Sequence, residues 1–117
     1  MHTIFFFFIC STCTKVLKEV APDTRFDLQN LKENPITAEQ LDLLAKVVGA
    51  YKELFNKQSR KYREYGLGTT ELSEQDCRSW ILKEYTFLKR PIFLVGDRVF
   101  ICRSNAVVDQ LKSHLAK

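Results

Sequence analysis

Three patterns along this chain predict a mixed α/β fold with one central sheet. An apolar run, Ile4-Phe5-Phe6-Phe7-Phe8-Ile9, leads directly into Cys10-Ser11-Thr12-Cys13 and an amphipathic stretch. A middle section carries helical periodicity and capping signals. The last third changes period and reads as a hairpin followed by a helix. The resulting order is β-α-β, several helices, then β-β-α.

Each element has its own local reason. The first strand, about Thr3 to Ile9, is apolar on both faces, as a central strand covered by helices must be. Cys13, Val16, Leu17 and Val20 follow at i, i+3, i+4, i+7 and mark a helix that faces Cys13 inward. Ala21-Pro22-Asp23 stops that helix, and Arg25-Phe26-Asp27-Leu28 is the expected second strand. Thr37 and Gln40 have capping-box spacing, with Leu41, Leu44, Ala45 and Val48 as the apolar face and Gly49 as the stop. Leu54 and Phe55 are expected in a short further helix, and Tyr62-Arg63-Glu64-Tyr65 in another that ends at Gly66. Ser73 and Asp76 cap a helix facing Cys77, Trp80 and Ile81 inward. Ile92-Phe93-Leu94-Val95, Gly96-Asp97 and Arg98-Val99-Phe100-Ile101 form a hairpin with a two-residue turn. A final helix from about Asn105 carries Val108, Leu111 and Leu115 on one face.

This order is the thioredoxin-like topology, with a helical insertion at about residues 36–86 in a single domain over residues 1–117. In such a fold the Arg90-Pro91 corner before the hairpin faces the CxxC turn. Arg90 is therefore expected beside Cys10, and its bond to Pro91 is a candidate cis peptide.

Composition narrows the function classes. The net charge of +4 is modest and the basic residues form no run, so an anionic substrate fits and direct nucleic-acid binding is not indicated. The apolar start has no Lys or Arg before it and is too short for a signal peptide. No window is long enough for a transmembrane helix. The expectation is a cytoplasmic, monomeric protein that makes no membrane contact.

Of four cysteines, Cys10, Cys13, Cys77 and Cys102, the CxxC pair carries the chemistry. A strand leading into CxxC at a helix start favours a thiolate, because unpaired N–H groups and the helix dipole stabilise negative charge there. Cys10 sits at the turn, open to a substrate, while Cys13 lies on the inward stripe. Attacking and resolving roles follow from that difference; the plainer reading makes Cys13 a small core residue, and the placement of the motif favours the redox role. Zinc is disfavoured: Cys77 and Cys102 make no second close pair, and the only histidines, His2 and His114, lie near the ends. Cys77 is read as core, and Cys102 as a packed strand residue. Tyr51, Tyr62 and Tyr65 are read as packing, and Arg60-Lys61-Tyr62-Arg63 as a solvated basic face.

Several segments in this order resemble one family. They are the strand ending in Cys10-x-x-Cys13, Asn34-Pro35-Ile36-Thr37, Glu53-Leu54-Phe55-Asn56 with Tyr62 and Gly66-Leu67, Leu88-Lys89-Arg90-Pro91-Ile92, and Cys102-Arg103 after the hairpin. Together they look like the ArsC/Spx family of thioredoxin-fold proteins. The resemblance implies Cys10 as catalytic cysteine and Arg90 and Arg103 as oxyanion-binding arginines. It implies an arsenate-reductase-like thiol oxidoreductase with no tightly bound cofactor, regenerated by glutathione with glutaredoxin, or by thioredoxin. The other branch implies a CxxC redox switch that binds the C-terminal domain of the RNA polymerase α subunit. Two positions depart from the reductase pattern. Phe6 stands where a histidine precedes the cysteine, and Asn56 where a third arginine is used; Lys57 or Arg60 are the nearby cations. The physiological substrate stays open at this point.

Overall fold

A computed structural model describes residues 2–7 and 10–116. Its contacts divide the chain into two compact units, one formed by Met1–Asn34 with Arg90–Lys117 and the other by Pro35–Lys89.

The first unit holds a four-stranded mixed sheet in the order β2-β1-β3-β4. Its strands are β1 (His2–Phe6), β2 (Asp27–Asn30), β3 (Ile92–Val95) and β4 (Arg98–Ile101). β1 pairs parallel with β2 and antiparallel with β3, and β3 pairs antiparallel with β4. β1 is thus central, as its two-sided apolar pattern requires: Ile4, Phe5 and Phe6 are all buried. Phe8 and Ile9, also expected in this strand, lie outside the described residues. Helix α1 (Ser11–Val20) presents Cys13 and Val16 to the core, and α5 (Asn105–Leu115) presents Val108 and Leu111. This is the thioredoxin-like arrangement expected from the sequence, with β1 delivering the chain to Cys10 at the start of α1.

The hairpin forms in the expected register, with Val95 opposite Arg98 across Gly96-Asp97. Gly96 takes φ 63°, the left-handed conformation that a two-residue hairpin turn needs and glycine adopts without penalty. The second strand differs from expectation by two residues. Asp23 captures Arg25 through its backbone N–H at 2.9 Å and its guanidinium at 3.0 Å, which holds that segment in a turn, and pairing begins only at Asp27. Leu28 lies on this edge strand and is exposed.

The second unit contains α2 (Ala38–Val48), α3 (Arg60–Glu64) and α4 (Glu74–Lys83). Capping boxes close α2 at Thr37/Gln40 and α4 at Ser73/Asp76, and Gly49 ends α2 at φ 102°. Leu54 and Phe55 are not helical: they lie in turns, and Phe55 forms an isolated antiparallel bridge with Leu88. The Glu74 carboxylate accepts the Tyr51 and Lys52 amides, and the segment then turns, the Leu54 N–H donating to the Tyr51 carbonyl and the Phe55 N–H to the Lys52 carbonyl. Among the described residues, no helix is long and apolar enough to cross a membrane.

Candidate active site

Cys10 is the N-cap of α1, with φ −87° and ψ 117°. Its carbonyl accepts the Thr14 N–H at 3.1 Å, the first bond of the helix, and the Thr14 hydroxyl at 3.2 Å. The backbone enters from Phe7, whose carbonyl accepts the Cys10 N–H at 3.1 Å. The Cys10 side chain makes no capping hydrogen bond, and the first turn contains no acidic residue. The amides at the helix start therefore remain available to a charge on the sulfur.

Partial burial of Cys10 opposes ionisation. The Cys13 amide and thiol, the Arg90 charge and the Thr12 amide outweigh that burial, and together they hold the Cys10 thiol below its ordinary value. Those amides act on the sulfur as nearby donors, without a formed hydrogen bond to the side chain. Cys13 behaves oppositely. It is fully buried, and burial, reinforced by the charge on Cys10, pushes its thiol up to about 12. One turn thus carries a thiol poised to ionise and a neighbour held protonated. All four cysteines are free thiols. Such a pair can attack an electrophile through the first sulfur and displace the adduct through the second.

Arg90 supplies positive charge to this turn. Its bond to Pro91 is cis, and its guanidinium lies over the Phe7 ring at 5.0 Å. Arg103 opens on a groove of about 220 Å³ between the starts of α1 and α5, shared with Thr12, Lys15 and Ser104. Buried Cys102 lies beneath it, its thiol pushed up to about 12 by burial. Lys15 was not singled out from the sequence. Its signal was there: it follows the CxxC by two positions, on the outer face of the same helix.

The two departing positions have structural occupations. Phe6 is buried in β1. Asn56 is buried in the second unit, where all its polar groups are engaged: its N–H donates to the Phe87 carbonyl at 2.7 Å, its side-chain amide to the Thr86 carbonyl at 3.2 Å, and its side-chain oxygen accepts the Gln58 N–H at 3.1 Å. Lys57 lines cavities of the second unit. Cys77 is buried on α4, and burial raises its thiol.

The fold has solved counterparts. A possible arsenate reductase from Streptococcus mutans is 25% identical, with 85% of this chain and 87% of that chain covered and a TM-score of 0.66. An ArsC family related protein from Bacteroides fragilis is 20% identical over 94% of this chain and 97% of that one, with a TM-score of 0.76. The arsenate reductase from Vibrio cholerae is 17% identical over 96% and 95%, with a TM-score of 0.74. No curated protein matches the chain in sequence. The ArsC family model matches residues 8–111, from just before the Cys10 turn into α5, and the chain belongs to the ArsC family.

Proposed function

We propose that this protein is an arsenate-reductase-like thiol oxidoreductase in which Cys10 is the nucleophile and Cys13 the resolving thiol. The observation that carries this reading is the asymmetry within one helical turn: a half-exposed Cys10 whose thiol is lowered, and a buried Cys13 held at about 12. A resting pair in which both thiols ionised together would expose the second nucleophile too early. Here it is kept protonated until the first has reacted.

In the proposed cycle the Cys10 thiolate attacks the arsenic of arsenate and displaces one of its hydroxyls, which takes a proton from solvent and leaves as water, forming an S–As bond. Arg90 and Arg103 bind the oxyanion, their planar donors matching its oxygens. Cys13 then attacks the Cys10 sulfur. The S–As bond breaks with its electron pair staying on arsenic, the Cys13 proton passes to a product oxygen, and arsenite leaves. The two electrons come from the two thiols, which end as a Cys10–Cys13 disulfide. Glutathione with glutaredoxin, or thioredoxin, reduces that disulfide. Glutathione can also replace Cys13 as the second thiol, giving a mixed disulfide on Cys10. The protein would work as a monomer in the cytoplasm, where such donors are found, with no resident cofactor.

A second reading uses the same pair. Phe6 and Asn56 stand where the reductase pattern has a histidine and an arginine, and both are buried in structural roles. That favours a redox switch in which the disulfide changes affinity for a protein partner, the RNA polymerase α C-terminal domain being the candidate. Arsenate-dependent NADPH oxidation, coupled through glutaredoxin or thioredoxin, separates the two. Turnover lost in Cys10→Ser and a trapped mixed disulfide in Cys13→Ser support the reductase. Absence of turnover with redox-dependent polymerase binding supports the switch. Turnover retained in Cys10→Ser would defeat both.

A further inference from the structure

The second unit contains a cavity that the thiol chemistry does not use. It has a volume of about 210 Å³, and its inner wall is apolar, formed by Phe55, Leu72 and Cys77. Phe55 and Cys77 are buried and Leu72 is half-buried, so the wall belongs to the core of this unit. The mouth is different in character: Lys52, Lys57 and Glu71 stand there, all exposed. Tyr62 and Thr70 add hydroxyls to the lining. Neither lysine takes part in an ion pair among the described residues.

Size and charge together define a ligand. A cavity of ~150 Å³ lined by apolar side chains holds a benzene ring, so this one has room for an aryl or short alkyl body. Two ammonium groups stand against one carboxylate in the lining itself, while nearby Glu74 is engaged by the Tyr51 and Lys52 amides at the start of α4; the charge left for a ligand at the mouth matches a monoanion. A dianion such as phosphate would meet Glu71 and gain nothing from the apolar wall. Lysine ammonium and hydroxyl donors suit a carboxylate, because charge-assisted hydrogen bonds to ionised oxygen are the strong ones. On the far side of Tyr62 a second cavity, of about 390 Å³, shares Lys57 and adds Arg63, so Lys57 is the cation common to both spaces. Pockets of this kind, an apolar body with a few convergent polar groups, are the usual form of a small-molecule site.

We propose that this cavity binds a small amphipathic monocarboxylate, its apolar body against Phe55, Leu72 and Cys77 and its carboxylate held by Lys57 and Lys52. Its lining includes neither Cys10 nor Cys13, and its test does not use thiol turnover.

The test is a titration of the isotopically labelled full-length chain with 3-phenylpropionate, followed by amide chemical shifts. Parallel titrations use the neutral 3-phenylpropanamide and inorganic phosphate. Saturable shifts at Thr70, Leu72 and Cys77 are expected, with affinity about tenfold weaker for the amide, since the amide lacks the charge the lysines read. Lys57→Ala should weaken 3-phenylpropionate by about threefold, and the double variant Lys52→Ala/Lys57→Ala should reduce it to the level of the amide. Both lysines are exposed, so these variants keep the fold, and their spectra report that directly. The proposal is overturned by non-saturating shifts, by shifts centred elsewhere, by the amide binding as tightly as the acid, or by phosphate competing equally well.

Discussion

Three helices of this protein begin in two chemically different ways. α2 and α4 open on Thr37 and Ser73, whose hydroxyls accept the amides of Gln40 and Asp76 while those side chains bond back. Acidic residues complement the dipole in each first turn, Glu39 in α2 and Glu74 with Asp76 in α4. α1 opens on Cys10, with no capping bond and no acid. The first two starts commit their amides to stability. The third holds them in reserve, and the same N–H groups lower the Cys10 thiol. A helix start can serve its own fold or a reactive anion, and this chain does each in a different place.

The contrast can be broken most severely at Cys10 itself. Cys10→Ser should reduce thiol-dependent turnover at least about a thousandfold, as loss of a nucleophile does. It should also raise stability by about 1 kcal/mol, because serine is a strong N-cap where cysteine makes no capping bond. Chemical denaturation of the variant would test this, and a loss of stability would remove the trade-off. Arg90→Ala comes next. Removing a positive charge raises the Cys10 thiol, so the midpoint of its alkylation rate against pH should move upward. The rate at neutral pH should then fall, by up to about tenfold for a midpoint one pH unit higher. Arg90→Lys should restore part of it. An unchanged midpoint would mean that the helix start alone sets the thiolate.

Thr37→Ala and Ser73→Ala sharpen the other side. Each should cost about 1 kcal/mol, measured by denaturant unfolding, with Cys10 alkylation unchanged. The smallest effect belongs to Asp42, whose carboxylate accepts the Tyr51 hydroxyl at 2.6 Å and the Arg78 guanidinium at 2.8 Å. Bonds from Arg78 first, then Tyr51, hold its carboxyl down to about 2 from 3.8. A depressed carboxyl stabilises the fold above its unfolded value and ceases to as protonation sets in. The advantage of the native chain over Asp42→Asn should therefore be present at pH 5 and fade between about pH 4 and pH 2, in thermal unfolding followed against pH.

What sequence reading recovered was local. The Thr37/Gln40 and Ser73/Asp76 boxes, the Gly96-Asp97 hairpin and the Cys13–Val16 stripe each follow from neighbours a few residues apart. The misreadings were of another kind. Arg25 was expected in a strand, but the side chain of Asp23 holds it in a turn. Leu54 and Phe55 were expected in a helix, but the Leu54 carbonyl accepts the Lys89 N–H and the Asn56 N–H donates to the Phe87 carbonyl, so partners more than thirty residues onward take the groups a helix would pair locally. Leu28 was expected in a strand and is, yet it faces solvent on the sheet edge, which no period-2 pattern distinguishes from the buried alternative.

The amino-acid sequence by itself determined the element order, the helix starts and the pairing of a turn cysteine with an inward one, because periodicity and capping are short-range. Which charge reaches that cysteine is legible only through the topology that the element order implies, and tertiary pairing decides it. Arg90 is eighty residues from Cys10 in the chain, and only the pairing of β3 against β1 brings it over Phe7 and into range of the sulfur. Burial decided the rest: the same thiol group is lowered at Cys10 and pushed to about 12 at Cys13 and Cys102, since the cost of ionising a sulfur is set by the water and donors around it.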